Sequence, residues 1–364
     1  MTDQPRIRVA VNGYGVIGKR VADAVIRQPD MRLVGVGEVA ADWRTRSLVA
    51  KDIALYAADD HAWTAMRKAD IEVAGPLEEL IYAAEIVVDC TPKGIGAKNA
   101  DLYRSKQKKF ILQGGEAHEA TRHSFVAEAN YESAIDRECT RVVSCNTTAI
   151  VRALTALKRA GLLRRAKATI LRRATDPWEA HLGGIMNTLV PERTIPSHQS
   201  ADAKTVDPDL DLLTVAVKVP QTLAHLLCLT IEMSQAAMRE EVLLALDDAS
   251  RILLIRGADG LTALNAVKEL TNDLGRPRAD LYEVAVWGDM LYTADHDAVF
   301  TYMVDNQSIV VPETIDAIRA LMGWEKDAAA SMARTNEALG VGRLSPALTS
   351  PEECCCQDEQ DETS

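Results

Sequence analysis

Near the start of the chain, Ile7-Arg8-Val9-Ala10-Val11-Asn12 alternates apolar and polar residues and runs straight into Gly13-Tyr14-Gly15-Val16-Ile17-Gly18. Lys19-Arg20-Val21-Ala22-Asp23-Ala24-Val25-Ile26 then carries apolar residues at helical spacing. A strand, a glycine turn and a helix in that order form the opening unit of a dinucleotide-binding βαβ fold. Gly13 permits the tight turn, Gly15 lets backbone approach a pyrophosphate, and Gly18 lets the helix pack against the strand. The unpaired N–H groups of the helix's first turn would face the phosphates. A second strand, Met31–Gly37, ends at Glu38, about twenty residues beyond the last glycine. A carboxylate there accepts ribose hydroxyls and repels a 2′-phosphate, which favours NAD and leaves NADP as the second choice.

Strand and helix patterns alternate through about residue 144: a helix at 45–51, strands at 53–56 and 71–75, a helix at 76–84, a strand at 85–90, a helix from 98 and a strand at 110–115. Such alternation predicts a parallel, doubly wound sheet, hence an α/β N-terminal Rossmann domain. The second half reads as an α+β domain with a mostly antiparallel or mixed sheet. It has a helix at 146–163, strands at 168–173, 212–219, 225–233, 283–287 and 298–304, and helices at 239–255 and 261–273. Helices at 314–321 and 328–339 close the pattern, and the acidic stretch from Ser345, with Cys354-Cys355-Cys356, lacks an apolar face and reads as disordered. The expected divisions are residues 1–144, 145–308, 309–344 and 345–364.

The chain has 364 residues and a formal charge of −12, which disfavours nucleic acid and anionic membrane as partners. An anionic substrate then needs a local cationic cluster, and Arg172-Arg173 supplies one. The scattered cysteines show no metal-site spacing and no disulfide framework, so no metal is expected. The chain start, without a signal-peptide apolar segment, gives a cytoplasmic expectation.

A second chemical signal lies in Arg141-Val142-Val143-Ser144-Cys145-Asn146-Thr147-Thr148, where a strand delivers Cys145 to a helix start. Helix N–H groups there would stabilise a thiolate or an oxyanion on an attacked carbonyl. Ser144, Asn146 and Thr147 are suitable capping and lining residues. A thiolate beside a nicotinamide suits aldehyde oxidation through a thioester. His225, in an otherwise apolar strand, is the candidate base, and His198, after a loop, is the candidate for binding anionic substrate.

With these features the chain resembles the archaeal-type (type II) phosphorylating glyceraldehyde-3-phosphate dehydrogenases. The resemblance rests on Val11–Ala22, Thr91-Pro92-Lys93-Gly94-Ile95-Gly96-Ala97-Lys98-Asn99, Gln113-Gly114-Gly115-Glu116, Val142–Thr148, Arg172–Pro177, Pro196-Ser197-His198 and Val310–Ala320. It implies Cys145 as nucleophile and His225 as general base. It implies dinucleotide contacts from Val16, Ile17, Gly115, Arg173 and Asn306, and substrate contacts from Ser144, Asn146, His198 and Gln199. The family fold joins a Rossmann domain to a catalytic domain, with a C-terminal helix returning to the first, and usually forms homotetramers. The expected reaction is phosphorylating oxidation of D-glyceraldehyde 3-phosphate, with inorganic phosphate as acyl acceptor. The chain departs from the family at Gln199, where a second histidine is common, at Gly183-Gly184-Ile185 in place of Arg-Gly-Pro, at Glu38 in place of Lys, and at Asn306 in place of Gln. Those changes keep open a related dehydrogenase acting on another aldehyde or acceptor, and a non-catalytic nucleotide-sensing or scaffold protein.

Overall fold

The structure is a computed structural model that describes residues 6–113, 115–177 and 185–342. The expectations for Gly114, for Gly183-Gly184 and for the tail from Ser345 lie outside the described residues. Eight parallel strands form the first sheet: β1 (Ile7–Asn12), β2 (Met31–Glu38), β3 (Leu55–Ala57), β4 (Gly75–Pro76), β5 (Ile86–Asp89), β6 (Lys109–Leu112), β7 (Ser124–Phe125) and β8 (Cys139–Val142). Their spatial order is β4-β3-β2-β1-β5-β6-β8-β7. The connecting helices are α1 (Val16–Arg27), α2 (Trp43–Val49), α3 (Asp60–Lys68), α4 (Leu77–Ala83), α5 (Gly96–Ser105) and α6 (Ala127–Asn130). Strand order reverses between β1 and β5, and open α/β sheets bind ligands at the carboxyl ends of strands at such a reversal. The glycine turn after Asn12 and the loop after Asp89 meet there, because Asn12 and Asp89 are register partners.

Strand periodicity explains the layers. Val9, Val11, Ile86 and Val88 point into one core, while Ala10 and Val87 between them point to the other face, with Leu80, Tyr103 and Phe110. Helix α1 buries Val21, Ala22, Ala24 and Val25 and stops at Gln28, whose extended backbone precedes Pro29.

The second sheet is mixed. It contains β9 (Leu163–Arg173), β10 (Val190–Pro191), β11 (Leu212–Val219), β12 (His225–Met233), β13 (Ile252–Ile255), β14 (Val284–Trp287), β15 (Tyr292–Ala294) and β16 (Asp297–Val304). The order is β10-β11-β9-β12-β16-β14-β13, with β15 paired to β16. Its helices are α7 (Cys145–Arg159), α8 (His198–Lys204), α9 (Arg239–Asp247) and α10 (Leu264–Asp273). Finally α11 (Val310–Leu321) and α12 (Ala328–Leu339) return to the first sheet, where α11 packs on α1, β6 and β8. All twelve residues of α11 are buried.

Two local readings are corrected. The single helix expected over 239–255 ends at Asp247, and Ile252-Leu253-Leu254-Ile255 is a strand paired in parallel with β14. The Asp247-Asp248-Ala249-Ser250 segment carries no apolar helix face, and four consecutive apolar residues suit a strand covered on both sides. Ile71–Ala74 stays out of the sheet, since Asp70 turns the chain at φ 55° and Ile71 drops into the core. Among the described residues, no helix is long and apolar enough to cross a membrane.

Buried charge ties the layers together. Glu313 of α11 accepts from Arg152 Nε on α7 at 3.0 Å, from Arg251 Nη1 at 3.0 Å and from the Ala127 N–H at 2.6 Å. Arg319 donates to Asp30, Gln28 and Thr335, and Asp316 accepts from Arg251, Ser331 and Thr335.

Candidate active site

The glycine turn has the expected geometry. Gly13 sits at φ 94°, and a Cβ there would lie 3.0 Å from the Cys90 and Thr91 backbone. A Cβ on Gly18 would lie 1.9 Å from the Gly13 carbonyl oxygen, so only glycine allows this close packing. Gly15 caps α1 without a side-chain bond, and a Cβ on it would meet nothing within 4 Å. The start of α1 thus has open space at Gly15, beside the helix's first-turn N–H groups, which fits a pyrophosphate. Gly115, at φ 77°, is similarly open.

Glu38 is buried at the end of β2. Its Oε2 accepts the Tyr14 N–H at 2.6 Å, and Oε1 accepts the N–H groups of Val39 at 2.8 Å and Ala40 at 3.2 Å. The carboxylate thus braces the glycine turn and keeps lone pairs for a ribose. In the first turn of α1, Lys19 Nζ lies 3.9 Å from the Trp43 ring centroid, and burial, with Arg278 and Arg44 nearby, lowers its amine to about 8. The loop facing the turn is set by Asp89, which accepts from the Thr91 N–H at 3.0 Å, Asn99 Nδ2 at 2.8 Å and the Tyr103 hydroxyl at 2.6 Å. Glu116 Oε1 accepts the Gly94 N–H at 2.6 Å and fixes the same loop from the other side.

Cys145 is the first residue of α7, half-buried, with Ser144 as N-cap accepting the Thr147 N–H at 3.4 Å. The helix end does not by itself give a thiolate. Burial pushes the Cys145 thiol up to about 11, against the pull of Arg173, the Asn146 N–H and Arg172. His225 begins β12, beside Arg172 and Arg173 of β9 and across from Val304 of β16. Burial and the same two arginines push the His225 imidazole down to about 3, and Asp305 opposes them. Arg172, Arg173 and Asp305 act on both the thiol and the ring, which puts the two groups in one electrostatic site.

The Arg173 N–H donates to His225 Nδ1 at 3.0 Å, so the neutral ring carries its proton on Nε2. That bond leaves Nε2 as the ring nitrogen free to face a substrate. Unsatisfied buried atoms mark the same place: Asn146 Oδ1, Arg173 Nε and Nη1, and Asn306 Oδ1 have no partner among the described residues. Such groups suit a bound polar ligand.

His198 starts α8, exposed, and its Nε2 lies 3.1 Å from Gln199 Nε2. Gln199 is held in turn by the Ser197 hydroxyl at 2.6 Å. Burial holds the His198 imidazole below its ordinary value; Glu192 and Asp202 pull it up while Arg172 and Lys93 push it down, so charges of both signs meet there, and Arg172 is paired with Glu192. Lys93 and Asp305 were not singled out from the sequence, although Lys93 sits inside the Thr91–Asn99 motif and Asp305 adjoins Asn306. No group of metal-ligating side chains occurs among the described residues.

The two halves of the chain match different family models. Residues 144–289 match the glyceraldehyde 3-phosphate dehydrogenase C-terminal domain, and residues 7–135 match the dihydrodipicolinate reductase N-terminus, a Rossmann-like nucleotide-binding domain. Over 342 residues the chain is 44% identical to the glyceraldehyde-3-phosphate dehydrogenase of Archaeoglobus fulgidus, covering 93% of this chain and 99% of that one. It is 42% identical to the enzyme of Methanococcoides burtonii over 92% of this chain and 99% of that one. It is also 42% identical to that of Metallosphaera sedula over 93% and 98%. With its parallel dinucleotide-binding sheet, its mixed second sheet and a cysteine at the start of the helix between them, the chain belongs to the glyceraldehyde-3-phosphate dehydrogenase family.

Proposed function

We propose that the chain oxidises D-glyceraldehyde 3-phosphate to 1,3-bisphosphoglycerate, with Cys145 as nucleophile, His225 as its partner and inorganic phosphate as acyl acceptor. The observation that carries this is the shared electrostatic site of Cys145 and His225 under Arg172 and Arg173, at the end of the second sheet. The nicotinamide, when bound, supplies the hydride acceptor.

The chain's own groups do the rest. The Cys145 thiol gives its proton to solvent, its sulfur forms a bond to the aldehyde carbon, and the carbonyl electron pair moves to oxygen. The Nε2–H of His225 donates to that oxygen, a role its Nδ1 bond to the Arg173 N–H prepares. Oxidation leaves a thioester on Cys145. A phosphate oxygen bonds to the acyl carbon, the carbon–sulfur bond breaks, and the pair returns to sulfur. Lys93 and Arg172, the latter shared with Glu192, attract the anionic groups of aldehyde and phosphate, and His198, Ser144, Asn146, Thr147 and Gln199 line the space around them. Gly13, Gly15, Val16, Ile17, Gly18, Glu38, Gly115, Arg173 and Asn306 hold the dinucleotide, and Glu38 gives NAD precedence over NADP.

The division at residue 144 separates coenzyme binding from chemistry, and the exposed apolar residues Met186, Leu189, Val190 and Ile195, with Met290 and Tyr292, support assembly as a homotetramer. The test is turnover of purified protein on the aldehyde with NAD, with and without inorganic phosphate. Phosphate-dependent reduction is expected, and Cys145→Ser is expected to abolish it while dinucleotide binding by calorimetry persists. Near-normal turnover by Cys145→Ser would refute the thioester route.

A further inference from the structure

A line of hydrogen bonds runs from the dinucleotide helix to the catalytic pair. Arg20 of α1 donates through Nη1 to the Val16 carbonyl at 2.9 Å, which ties it to the first turn of α1. Its Nε donates to Asp280 at 2.8 Å, and its Nη2 donates to Gln307 Oε1 at 2.9 Å. Gln307 Nε2 donates to Asp176 Oδ1 at 2.7 Å. The same Oδ1 accepts from Arg173 Nη2 at 2.7 Å. Arg173 then meets His225 through its backbone N–H.

We infer that Gln307 and Asp176 are positioning residues, which lock the Arg173 guanidinium beside Cys145 and His225 in a register set by Arg20 on the dinucleotide helix. This rests on the reading of Cys145 and His225 as the reacting pair. The chemistry of position 307 is specific. Arg20 offers only donors and Asp176 only acceptors, so the side chain between them must present an oxygen to one and an N–H to the other. An amide does this. A carboxylate would repel Asp176, and an ammonium would repel Arg20. The backbone N–H of Gln307 is itself fixed by Asp305 Oδ1 at 3.0 Å, so the amide projects from an anchored turn.

Arg173 depends on this arrangement. Its Nε and Nη1 have no partner among the described residues, and Asp176 supplies the bond that aims the guanidinium. The charges acting on the thiol are Arg172 and Arg173 from β9 and Asp305 beyond β16, with the Asn146 N–H from α7. Arg173 is the foremost of the lowering influences, so a guanidinium that swings away weakens the thiolate.

The test reads the thiol directly. Alkylation of Cys145 by iodoacetamide is followed against pH by peptide mass spectrometry in the full-length protein, for wild type, Gln307→Met, Asp176→Ala and Asp176→Asn. The sign separates positioning from charge. Deleting the Asp176 carboxylate removes a negative charge and, on charge alone, lowers the thiol pKa. Loss of the anchor raises it instead. Gln307→Met and Asp176→Ala are expected to move the profile upward by roughly half to one pH unit, with about 3- to 10-fold slower alkylation at fixed pH, part of the 1–3 units one adjacent charge provides. Asp176→Asn keeps an oxygen acceptor and is expected to restore the wild-type profile. Thermal midpoints verify folding, and if Asp176→Ala does not fold, Gln307→Met decides. An unchanged or lowered profile in folded Gln307→Met or Asp176→Ala would overturn the inference. Turnover by Cys145→Ser would instead remove the catalytic reading, while the alkylation shift would still be measured.

Discussion

Glu313→Ala removes the centre of the buried network that joins α11 to α7, to α6 and to Arg251 just before β13. In the native protein the Glu313 carboxylate receives Arg152 Nε at 3.0 Å, Arg251 Nη1 at 3.0 Å and the Ala127 N–H at 2.6 Å, and the three charged side chains are fully buried. The variant leaves Arg152 with carbonyl acceptors alone, from Tyr282 at 2.7 Å and Ile309 at 3.1 Å, and leaves the Ala127 N–H unpaired. Breaking a buried pair from one side costs about 3–5 kcal/mol, because the remaining charge stays desolvated. Urea unfolding followed by circular dichroism measures this loss. The pH dependence has a definite sign. Burial would raise the Glu313 carboxyl, but the two arginines outweigh it and hold it below its ordinary value of 4.5, so its stabilisation is present above that pH and is lost as pH falls through the depressed folded-state value. The difference between wild type and variant is therefore expected to hold at neutral pH and to shrink in acid. A loss under about 1 kcal/mol at neutral pH would refute the assignment of Glu313 as the network's centre.

Alkylation of wild-type Cys145 is expected to accelerate steadily with pH toward about 11, and a plateau beginning near neutrality would contradict the burial argument. His225→Asn is expected to lower kcat by ~10²–10³-fold, the size of losing one oxyanion donor, without an inflection near pH 6.5 in the wild-type profile; an inflection there would return His225 to a general-base role. Glu38→Lys is expected to move coenzyme preference from NAD toward NADP by steady-state kinetics, and a wild-type enzyme with a lower KM for NADP than for NAD would sink the reading of Glu38.

The parts of this protein that were legible in its sequence are those whose causes are local. The glycine turn is a demand of backbone space within Gly13–Gly18, and the cysteine at a helix start is a matter of adjacent residues. Period-two alternation placed β1 correctly, and the ends of β11 and β12 fell where the residue types change. Helix α8 was missed although Pro196-Ser197 precedes it, because seven residues give too little periodicity to register. The error over 239–255 has a similar origin: an apolar run of four fits a helix face or a buried strand, and only the pairing with β14, some thirty residues on, decides. What stayed illegible is long-range. Nothing around Arg20 points to Gln307, and nothing around His225 announces that the Arg173 N–H will settle its tautomer. The position of Glu38 at the end of a strand was legible, but its bracing of the Tyr14 N–H needs the turn and the strand end in place together.

The burial of α11 has a consequence for how the chain is made. This helix fills the space against α1, β6 and β8, yet it is among the last elements to leave the ribosome. At 5–20 residues per second, the strands of the first sheet wait roughly 10–30 s after β8 emerges before Val310–Leu321 arrives to cover them. During that interval the apolar face that α11 will occupy is open to other chains, and Arg152 is without Glu313. The nascent first domain is thus a client for any holding factor that shields apolar surface, and its maturation is completed only when nearly the whole chain has been synthesised.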